Sequence, residues 1–482
     1  MDLNAIMQNA ATSMNVYRAQ IATASNNIAN ADTPGYAREE AVATEAEPVS
    51  EAGSNSYIGS GVTLQAVIEE RDPNVEAQLP TAFSNSSSSS AESNALSDVT
   101  ALDPQATGGV ANALGSFYAA LTNLSQNPGD SELRQAAVDS AQSLATAFNT
   151  TANSISSAQS GIDQNVTSLV SQVNGLVSDV ANLNGGIALA VNSGRTPNDL
   201  IDQRQNDLDQ LAQMIGAQPV TSDHGTVNVV LPNGTCLVSG TVASQLTAQA
   251  DPANGGHVDV VFQSPDGSTP AALDQSDVGG QIGGLLSARD NGLGTALSSL
   301  NNLALNLTSV INQQSEQGYA LDGTTGHNLF AALTSSTNAA ANMAVDSSVS
   351  ADPSLLAAAG SVSLSSTGVA TVASGDATNL QAMIATQNTT LPASNLDATQ
   401  TFANLTSAFG LAASTASDNA TFDQNILTSL TNARASTSGV STDDEQVNIM
   451  QAENAYDALT KVITTSQTML QDLMDIISPA AG

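Results

Sequence analysis

The chain has 482 residues, with 45 Asp and Glu against 9 Lys and Arg, which gives a net charge of −36 at pH 7. Such an acidic chain repels phosphate backbones and anionic lipid headgroups, so the composition argues against nucleic-acid and membrane partners. Hydrophobic residues make up 41% of the chain but aromatic ones only 3%, a composition that suits long packed helices. The length of the chain predicts roughly two to four domains.

Targeting signals are missing from the amino-terminal stretch MDLNAIMQNA, which has neither a basic segment nor a continuous apolar block. We therefore expect no cleaved signal peptide. Because apolar runs of about 18 residues are also missing, we expect no membrane span. Cys236 is the single cysteine, so an intramolecular disulfide cannot form.

A helical seam opens the chain. Its apolar residues alternate in spacing between four and three, which is the heptad pattern of a helix that packs on another helix; they are Leu3, Met7, Ala10, Met14, Tyr17, Ile21, Ala24 and Ile28. Pro34 and Gly35 predict that this helix ends between Asn30 and Thr33. The spacing leaves open whether the partner helix belongs to the same chain or to a neighbour.

The middle of the chain alternates between helical and β-like patterns. We predict β-like structure over 42–68, helices over 74–127, and long helices from 130 onward, with a heptad seam from Ile162 to Ile187. The serine-rich stretch 84–93 is interpreted as a solvated helix face or a loop. A β-hairpin is predicted around Pro232-Asn-Gly234, and a further strand over 257–262.

The last part of the chain returns to helix. Residues 331–400 have few large apolar side chains, so we expect a reduced or loosely built outer segment. Thr442 and Glu445 form a capping-box pattern, and a second heptad seam follows; its members are Ala455, Leu459, Val462, Ser466, Met469, Leu473 and Ile476.

These patterns predict a mainly α fold with a β-rich insertion, in which the terminal heptad helices form a coiled coil. The predicted parts are a terminal helical domain (1–40 with 440–482), a helical bundle domain (41–216 with 280–330 and 397–439), a β-hairpin-rich part (217–279) and an outer segment (331–396).

Catalytic and ligand-binding motifs are not found in the sequence. His224, His257, His327 and Cys236 show no metal-ligand spacing. Gly-x-Ser-x-Gly and Gly-x-Gly-x-x-Gly motifs do not occur. We therefore predict no catalytic residue, no cofactor and no metal site.

The stretch NNIANADTPGY, residues 26–36, resembles the amino-terminal signature of bacterial flagellar axial proteins, which form rods, hooks and junctions. The signature positions are Asn26, Asn27, Asn30, Pro34, Gly35 and Tyr36. Four later stretches resemble the hook-filament junction members of that family; they are 197–204, 283–290, 312–319 with 322–323, and 439–445 leading into 455–456 and 461–462.

This resemblance implies a structural protein that joins the hook to the filament. The implied partners are further copies of itself, the hook protein, a second junction protein and an export chaperone on the carboxy-terminal helix. The implied location is the extracellular flagellum, reached through type III export. We expect the assembly interface to consist of Leu3, Met7, Met14, Tyr17, Ile21, Ile28, Leu459, Val462, Met469, Leu473 and Ile476.

Three other functions stay open at this point. The chain can be another axial protein, such as a hook or rod component. It can be a self-contained helical adhesin or binding module. An exported wall hydrolase would need a carboxylate pair in a cleft, and the sequence offers no defensible candidate for one.

Overall fold

The structure is a computed structural model that describes residues 3–50, 57–102, 108–364, 370–392 and 394–477, with the backbone alone for residues 49–50, 57–58 and 476–477. It is mainly helical, with a long helix at each end of the chain and small β-sheets between them. The predicted fold class is confirmed. The predicted division into domains stays a prediction.

The described residues form helices of very different lengths. In chain order they are α1 (Leu3–Ala29), α2 (Pro73–Ser97), α3 (Val110–Gln126), α4 (Ser131–Asn192), α5 (Asn198–Ile215), α6 (Gly280–Ser287), α7 (Gly294–Ser315), α8 (Ala339–Asn342), α9 (Ser347–Ala351), α10 (Thr378–Ala385), α11 (Ala398–Ser438) and α12 (Thr442–Ile477). A π-helical turn, Ala288–Leu293, joins α6 to α7.

The strands of the described residues pair antiparallel. The strands are β1 (Glu39–Glu45), β2 (Val49–Ser50), β3 (Tyr57–Ile58), β4 (Val62–Glu69), β5 (Gln218–Thr221), β6 (Val227–Val230), β7 (Cys236–Ser239), β8 (Val242–Ala243), β9 (Gln245–Ala250), β10 (Val258–Gln263), β11 (Ala271–Leu273), β12 (Ser363–Leu364) and β13 (Ala370–Thr371). They form a sheet in the order β5-β6-β7-β8, a sheet in the order β11-β10-β9, and the pairs β1-β4, β2-β3 and β12-β13.

Helix α4 is the axis of the helical bundle. It has 62 residues, which is about 93 Å of helix, and it begins where Asp130 accepts hydrogen bonds from the amides of Glu132 and Leu133. The predicted seam lies on its inner face, where Ile162, Val173 and Ile187 are buried. The seam therefore packs against other elements of the same chain, chiefly α3, α5 and the sheets.

The two larger sheets lie against α4, and the predicted hairpin is present as β6 and β7. Buried Asn184 of α4 fixes the first sheet, since its amide group donates hydrogen bonds of 2.7 Å to the carbonyls of Val227 and Gly240. Arg204 of α5 donates to the Asn184 side chain at 3.0 Å. The stretch 197–204 thus helps to attach the sheet to the bundle.

The serine-rich stretch is neither a loop nor fully solvated. Helix α2 continues through it, and Ser86 is buried. Ser84 Oγ accepts a hydrogen bond of 3.0 Å from the amide of Gly280 in α6. A Cβ atom on Gly284 would lie 2.0 Å from the carbonyl oxygen of Ser88. The small residues are present because the backbones of α2 and α6 are nearly in contact.

We expect Gly284→Ala to destabilise the fold, because the added methyl group overlaps the α2 backbone; overpacking of this kind costs about 1–3 kcal/mol. Gly161→Ala is the matched control, since Gly161 lies inside α4 with no atom near its missing Cβ. That change should stabilise by about 0.5–1 kcal/mol. Urea denaturation of both variants checks the prediction, and equal midpoints for the two would contradict the close α2–α6 packing.

The outer segment is densely packed, so the expectation of a loosely built segment is wrong. Met343, Leu356, Leu380 and Met383 are each at most 1% exposed, and the segment contacts α3, α4 and α7. Buried Arg134 of α4 donates a hydrogen bond of 2.7 Å to the carbonyl of Leu356. Small Ala side chains fill much of this core, and they give little hydrophobic signal in a sequence.

Candidate assembly interface

The two ends of the chain pack together as an antiparallel pair, α1 against α12. Ala10 of α1 lies near Leu459 of α12 across a shallow groove. Further along, Ala24 lies near Ala452 across a cleft of about 530 Å³ that is closed on one side by β1. The chain thus supplies a partner for its own first helix.

Small residues make the contact between the two helices. Ala10, Ala24, Ala452 and Ser466 are all buried, and their short side chains let the two backbones approach closely. The larger residues of the predicted amino-terminal seam lie beside this contact and are half-buried; they are Leu3, Met7, Met14, Tyr17, Ile21 and Ile28. The buried side of α1 also faces β1 and β4, through Val16 and Thr23.

The predicted carboxy-terminal seam divides into two sets. Leu459 is half-buried at α1, as expected. Val462 lines the shallow groove beside Ala10 but is 41% exposed, and Met469 and Leu473 are 55% and 57% exposed, so much of this seam is open to solvent within one chain. The side chain of Ile476 lies outside the described residues. The heptad interpretation followed the largest apolar residues, whereas the intrachain contact uses small ones.

We name Val462, Met469 and Leu473 the α12 stripe. Their spacings of seven and four residues place them within about 40° of each other around the helix. An apolar helix face left open to solvent is typical of a surface that binds another protein. Whether the predicted interface residues act in assembly stays a proposal.

The amino-terminal cap of α12 also differs from the predicted capping box. Ser441, and not Thr442, caps the helix, because its Oγ accepts a hydrogen bond of 3.3 Å from the amide of Asp444. Asp443 and Asp444 lie in the first turn, where the helix dipole favours negative charge.

The signature stretch forms a hydrogen-bonded clasp between the end of α1 and the start of β1, centred on buried Asn27. The Asn27 amide donates to the carbonyl of Glu39 at 2.9 Å, and its Oδ1 accepts from the Glu39 amide at 2.9 Å. The Tyr36 hydroxyl donates to the same Oδ1 at 2.7 Å. Burial, reinforced by the nearby Glu39 carboxylate, raises the pKa of Tyr36 and keeps this donor protonated. Asn27 thus fixes β1 against the end of α1.

The other signature residues shape the turn. Asn30 donates to the side chain of Asn26 at 3.0 Å, which closes the last turn of α1. After Pro34, Gly35 has φ of 83°, and a Cβ there would lie 3.2 Å from Asn206. Only glycine adopts this backbone without strain at so close an approach to α5. The six signature positions therefore span the end of α1 and the turn that follows it.

A charged cluster joins this turn to the bundle. Arg71 forms ion pairs with Asp202 and, at 2.7 Å, with Glu69, and it donates to the carbonyl of Gly35 at 3.2 Å. Asn198 donates to Glu39 Oε1 at 2.7 Å. The turn after α1, β1, β4 and α5 thus meet at one polar site.

A second arginine extends the cluster to α11. Arg434 binds Glu76 of α2 through two nitrogens, at 2.9 and 2.6 Å, and Asp209 of α5 at 2.7 Å. Nearby, the amide of Arg38 donates to the carbonyl of Ser438 at 2.8 Å. The sequence prediction missed Arg71 and Arg434. Since the chain has only 9 Lys and Arg residues among many carboxylates, each arginine was a candidate for a structural ion pair, and that scarcity was the available signal.

Two carboxyl groups of α5 have a raised pKa. Burial, reinforced by Glu69 and opposed by Arg71, raises the pKa of Asp202 to about 6. Burial and the nearby Asp179 raise the pKa of Asp207 to about 6. Because the unfolded carboxyl titrates near its ordinary value, the folded chain binds these protons more tightly, and stability rises as the pH falls from 7 to about 5.

We therefore expect maximal stability between about pH 4 and 6. In more acidic solution the opposite effect takes over, since a hydrogen bond from Ser348 holds the pKa of Asp346 below its ordinary value. Asp207→Asn should stabilise at pH 7.5 by about 1 kcal/mol after allowance for solvent screening, and not at pH 4.5. Thermal unfolding across this pH range measures the effect. Exposed Asp418→Asn is the control, and an equal gain from it would contradict the assignment.

The described ranges contain no cluster of three His, Cys, Asp or Glu side chains arranged to hold a metal ion. Within the same ranges, no helix is both long and apolar enough to cross a membrane.

Three family models match the chain. The model of the flagellar hook-associated protein FlgK helical domain matches residues 96–330. The model of the flagella basal body rod protein matches 7–36, and that of the flagellar basal body rod FlgEFG protein C-terminal region matches 432–476. The two rod models thus fall on the paired terminal helices, and the third on the bundle and sheets.

Curated relatives carry one name, flagellar hook-associated protein 1. The protein from Salmonella typhimurium is 30% identical over 68% of this chain and 59% of its own length. The chain thus spans about three fifths of that relative. The protein from Bacillus subtilis is 26% identical over 97% of both chains. The solved structure of the flagellar hook junction protein FlgK from Burkholderia pseudomallei has the same fold, with a TM-score of 0.65 and 20% identity over 75% of this chain and 100% of that one.

The matches at the two ends of the chain place its terminal helices with those of flagellar rod proteins. The match of the middle domain narrows this similarity to flagellar hook-associated protein 1, which the chain resembles from end to end in the relative from Bacillus subtilis.

Proposed function

We propose that this chain is a structural component of the bacterial flagellum that joins the hook to the filament and assembles through its terminal helices. The observation that carries the proposal is the α12 stripe, three large apolar side chains exposed on a helix whose sequence matches the rod family. A neighbouring subunit would remove this stripe from water.

Burial of the stripe would contribute free energy to assembly. Each large apolar side chain that is fully buried contributes about 1.5–3 kcal/mol. The same contact repeats between every pair of neighbours in a ring, so modest contacts add up around it. The half-buried side chains of α1, among them Met7, Met14 and Ile21, add apolar surface beside the intrachain contact. The clasp at Asn27 and the cluster at Arg71 would hold the terminal pair at a fixed angle to the bundle.

The proposed partners follow from this role. They are further copies of the chain, the hook protein and a second hook-filament junction protein. An export chaperone would cover the carboxy-terminal helix before export, which would occur without a cleaved signal peptide and place the protein outside the cell. The role is structural, with no catalytic step and no cofactor.

Localisation on intact flagella tests this proposal. An epitope inserted at the exposed turn between Gly194 and Arg195 leaves both ends of the chain free. Immunogold labelling should give one narrow band at the distal end of the hook. Labelling along the whole hook would instead indicate a hook component, and labelling of the rod a rod component. Label on the cell surface away from flagella would indicate an adhesin.

A further inference from the structure

The two terminal helices differ sharply in charge. Helix α1 contains one charged residue, Arg18, and no carboxylate. Helix α12 contains seven carboxylates and one Lys. Of the two terminal helices, α1 is therefore the one that carries no negative charge.

The cations of the terminal pair are also unpaired. Arg18 and Lys461 are exposed, and neither forms a salt bridge in the part of the chain that the structure describes. Five arginines of the bundle are used internally, in ion pairs or in hydrogen bonds to buried carbonyls; they are Arg71, Arg134, Arg204, Arg289 and Arg434. Arg195 of the bundle is exposed, as are Arg18 and Lys461 of the terminal helices, and these cations are available to another chain.

The free charges lie on the outer sides of the pair. Glu453, Asp457 and Lys461 are spaced by four residues and are exposed, so they form one row on α12. This row lies on the side opposite buried Ala452 and Ser466, the side that faces α1 at Ala452. Arg18 lies on the exposed side of α1, away from Ala24. We call Glu453 and Asp457 the acidic edge of α12, and Arg18 the basic edge of α1. The two edges face away from each other within one chain.

We infer that the basic edge of α1 in one copy docks against the acidic edge of α12 in a second copy, where Arg18 pairs with Glu453 and Asp457. The inference rests on the proposed function and adds the residues and polarity of the contact. Charge complementarity selects this occupant, because most other surfaces of an acidic copy would repel α12. The contact is heterologous, so repetition generates a ring or a helical array.

Cysteine trapping on assembled flagella tests the contact. The chain carries Arg18→Cys and Asp457→Cys in a Cys236→Ser background, so that only these two thiols can react. Because the two edges face apart within one chain, oxidation should link neighbours into a ladder of multimers on a non-reducing gel. Assembled flagella that yield only monomers, or only dimers, would overturn the inference.

Charge reversal supplies a second readout that does not depend on cysteine. Arg18→Glu and Asp457→Arg should each lower the fraction of cells with filaments by about tenfold or more, since each leaves like charges in contact. The double variant restores an opposite pair and should restore filaments. Failure of this rescue would overturn the inference.

Exposed Arg195, which lies on the bundle, is the control for net charge. Arg195→Glu should leave filaments unchanged, and a loss equal to that of Arg18→Glu would also overturn the inference. The proposed function fails separately, if cells lacking the whole gene still carry normal filaments or if the epitope labels another place.

Discussion

Introducing aspartate into the α12 stripe, as Val462→Asp or Leu473→Asp, should abolish filaments and swimming while the monomer stays folded. The fold does not bury these side chains, which are 41% and 57% exposed, so a carboxylate there remains hydrated in the free chain. In the assembly the same carboxylate would be moved out of water, and the apolar contact would be lost. We expect a loss of about 3 kcal/mol or more at each contact, or over a hundredfold in affinity.

The measurements are filament counts, swimming on soft agar and the melting temperature of the purified variants. Leu411→Asp is the matched control, since Leu411 is 68% exposed on α11, away from the terminal pair. That variant should swim normally. Normal filaments on cells with Leu473→Asp would contradict the assembly role of the stripe. A large drop in melting temperature would show that the residue instead stabilises the monomer.

Replacing Arg289 with methionine should be among the most destabilising single changes in the bundle. Arg289 is 1% exposed and pairs with Asp163 of α4 at 2.7 Å. It also donates to the carbonyl of Val258 in β10 and pairs with Asp290 at 2.7 Å. Asp163 in turn contacts His257 at 2.7 Å, so a single guanidinium joins the π-helical turn, α4 and the second sheet.

Methionine would fill much of the space but leave the Asp163 carboxylate and a strand carbonyl without their donor. Breaking a buried pair in this way costs about 3–5 kcal/mol. Lysine would recover part of the loss, because it keeps the charge but not the forked geometry of arginine. Chemical denaturation measures the change in free energy, and hydrogen exchange at β10 reports whether the sheet detaches from α4.

The control is Arg195→Met, at an exposed arginine that forms no ion pair among the described residues. Its free energy of unfolding should change by no more than about 0.5 kcal/mol. Equal effects of the two substitutions would show that Arg289 does not hold the sheet.

Much of this fold could be predicted from the sequence, because the signals are local. Helix α1 ends next to the predicted stop at Pro34 and Gly35, since proline lacks an amide donor and glycine adopts positive φ. The hairpin at Asn233-Gly234 follows from turn chemistry. The spacing of Ile162 to Ile187 already placed one face of α4 in a core. The signature from Asn26 to Tyr36 indicated the flagellar family before any contact was known.

Other features were decided by tertiary structure alone. Hydrophobic periodicity favours large side chains, whereas the α1–α12 contact and the α2–α6 contact use Ala, Ser and Gly, whose value lies in letting two backbones approach. Burial of Ser86 and of the Ala-rich outer segment depends on which helix packs there, and no local pattern encodes that. For the same reason, the sequence alone could not predict that Val462, Met469 and Leu473 are exposed. Their spacing is that of a core seam, and only the position of α1, rotated toward Ala452 and Ser466, left them facing solvent.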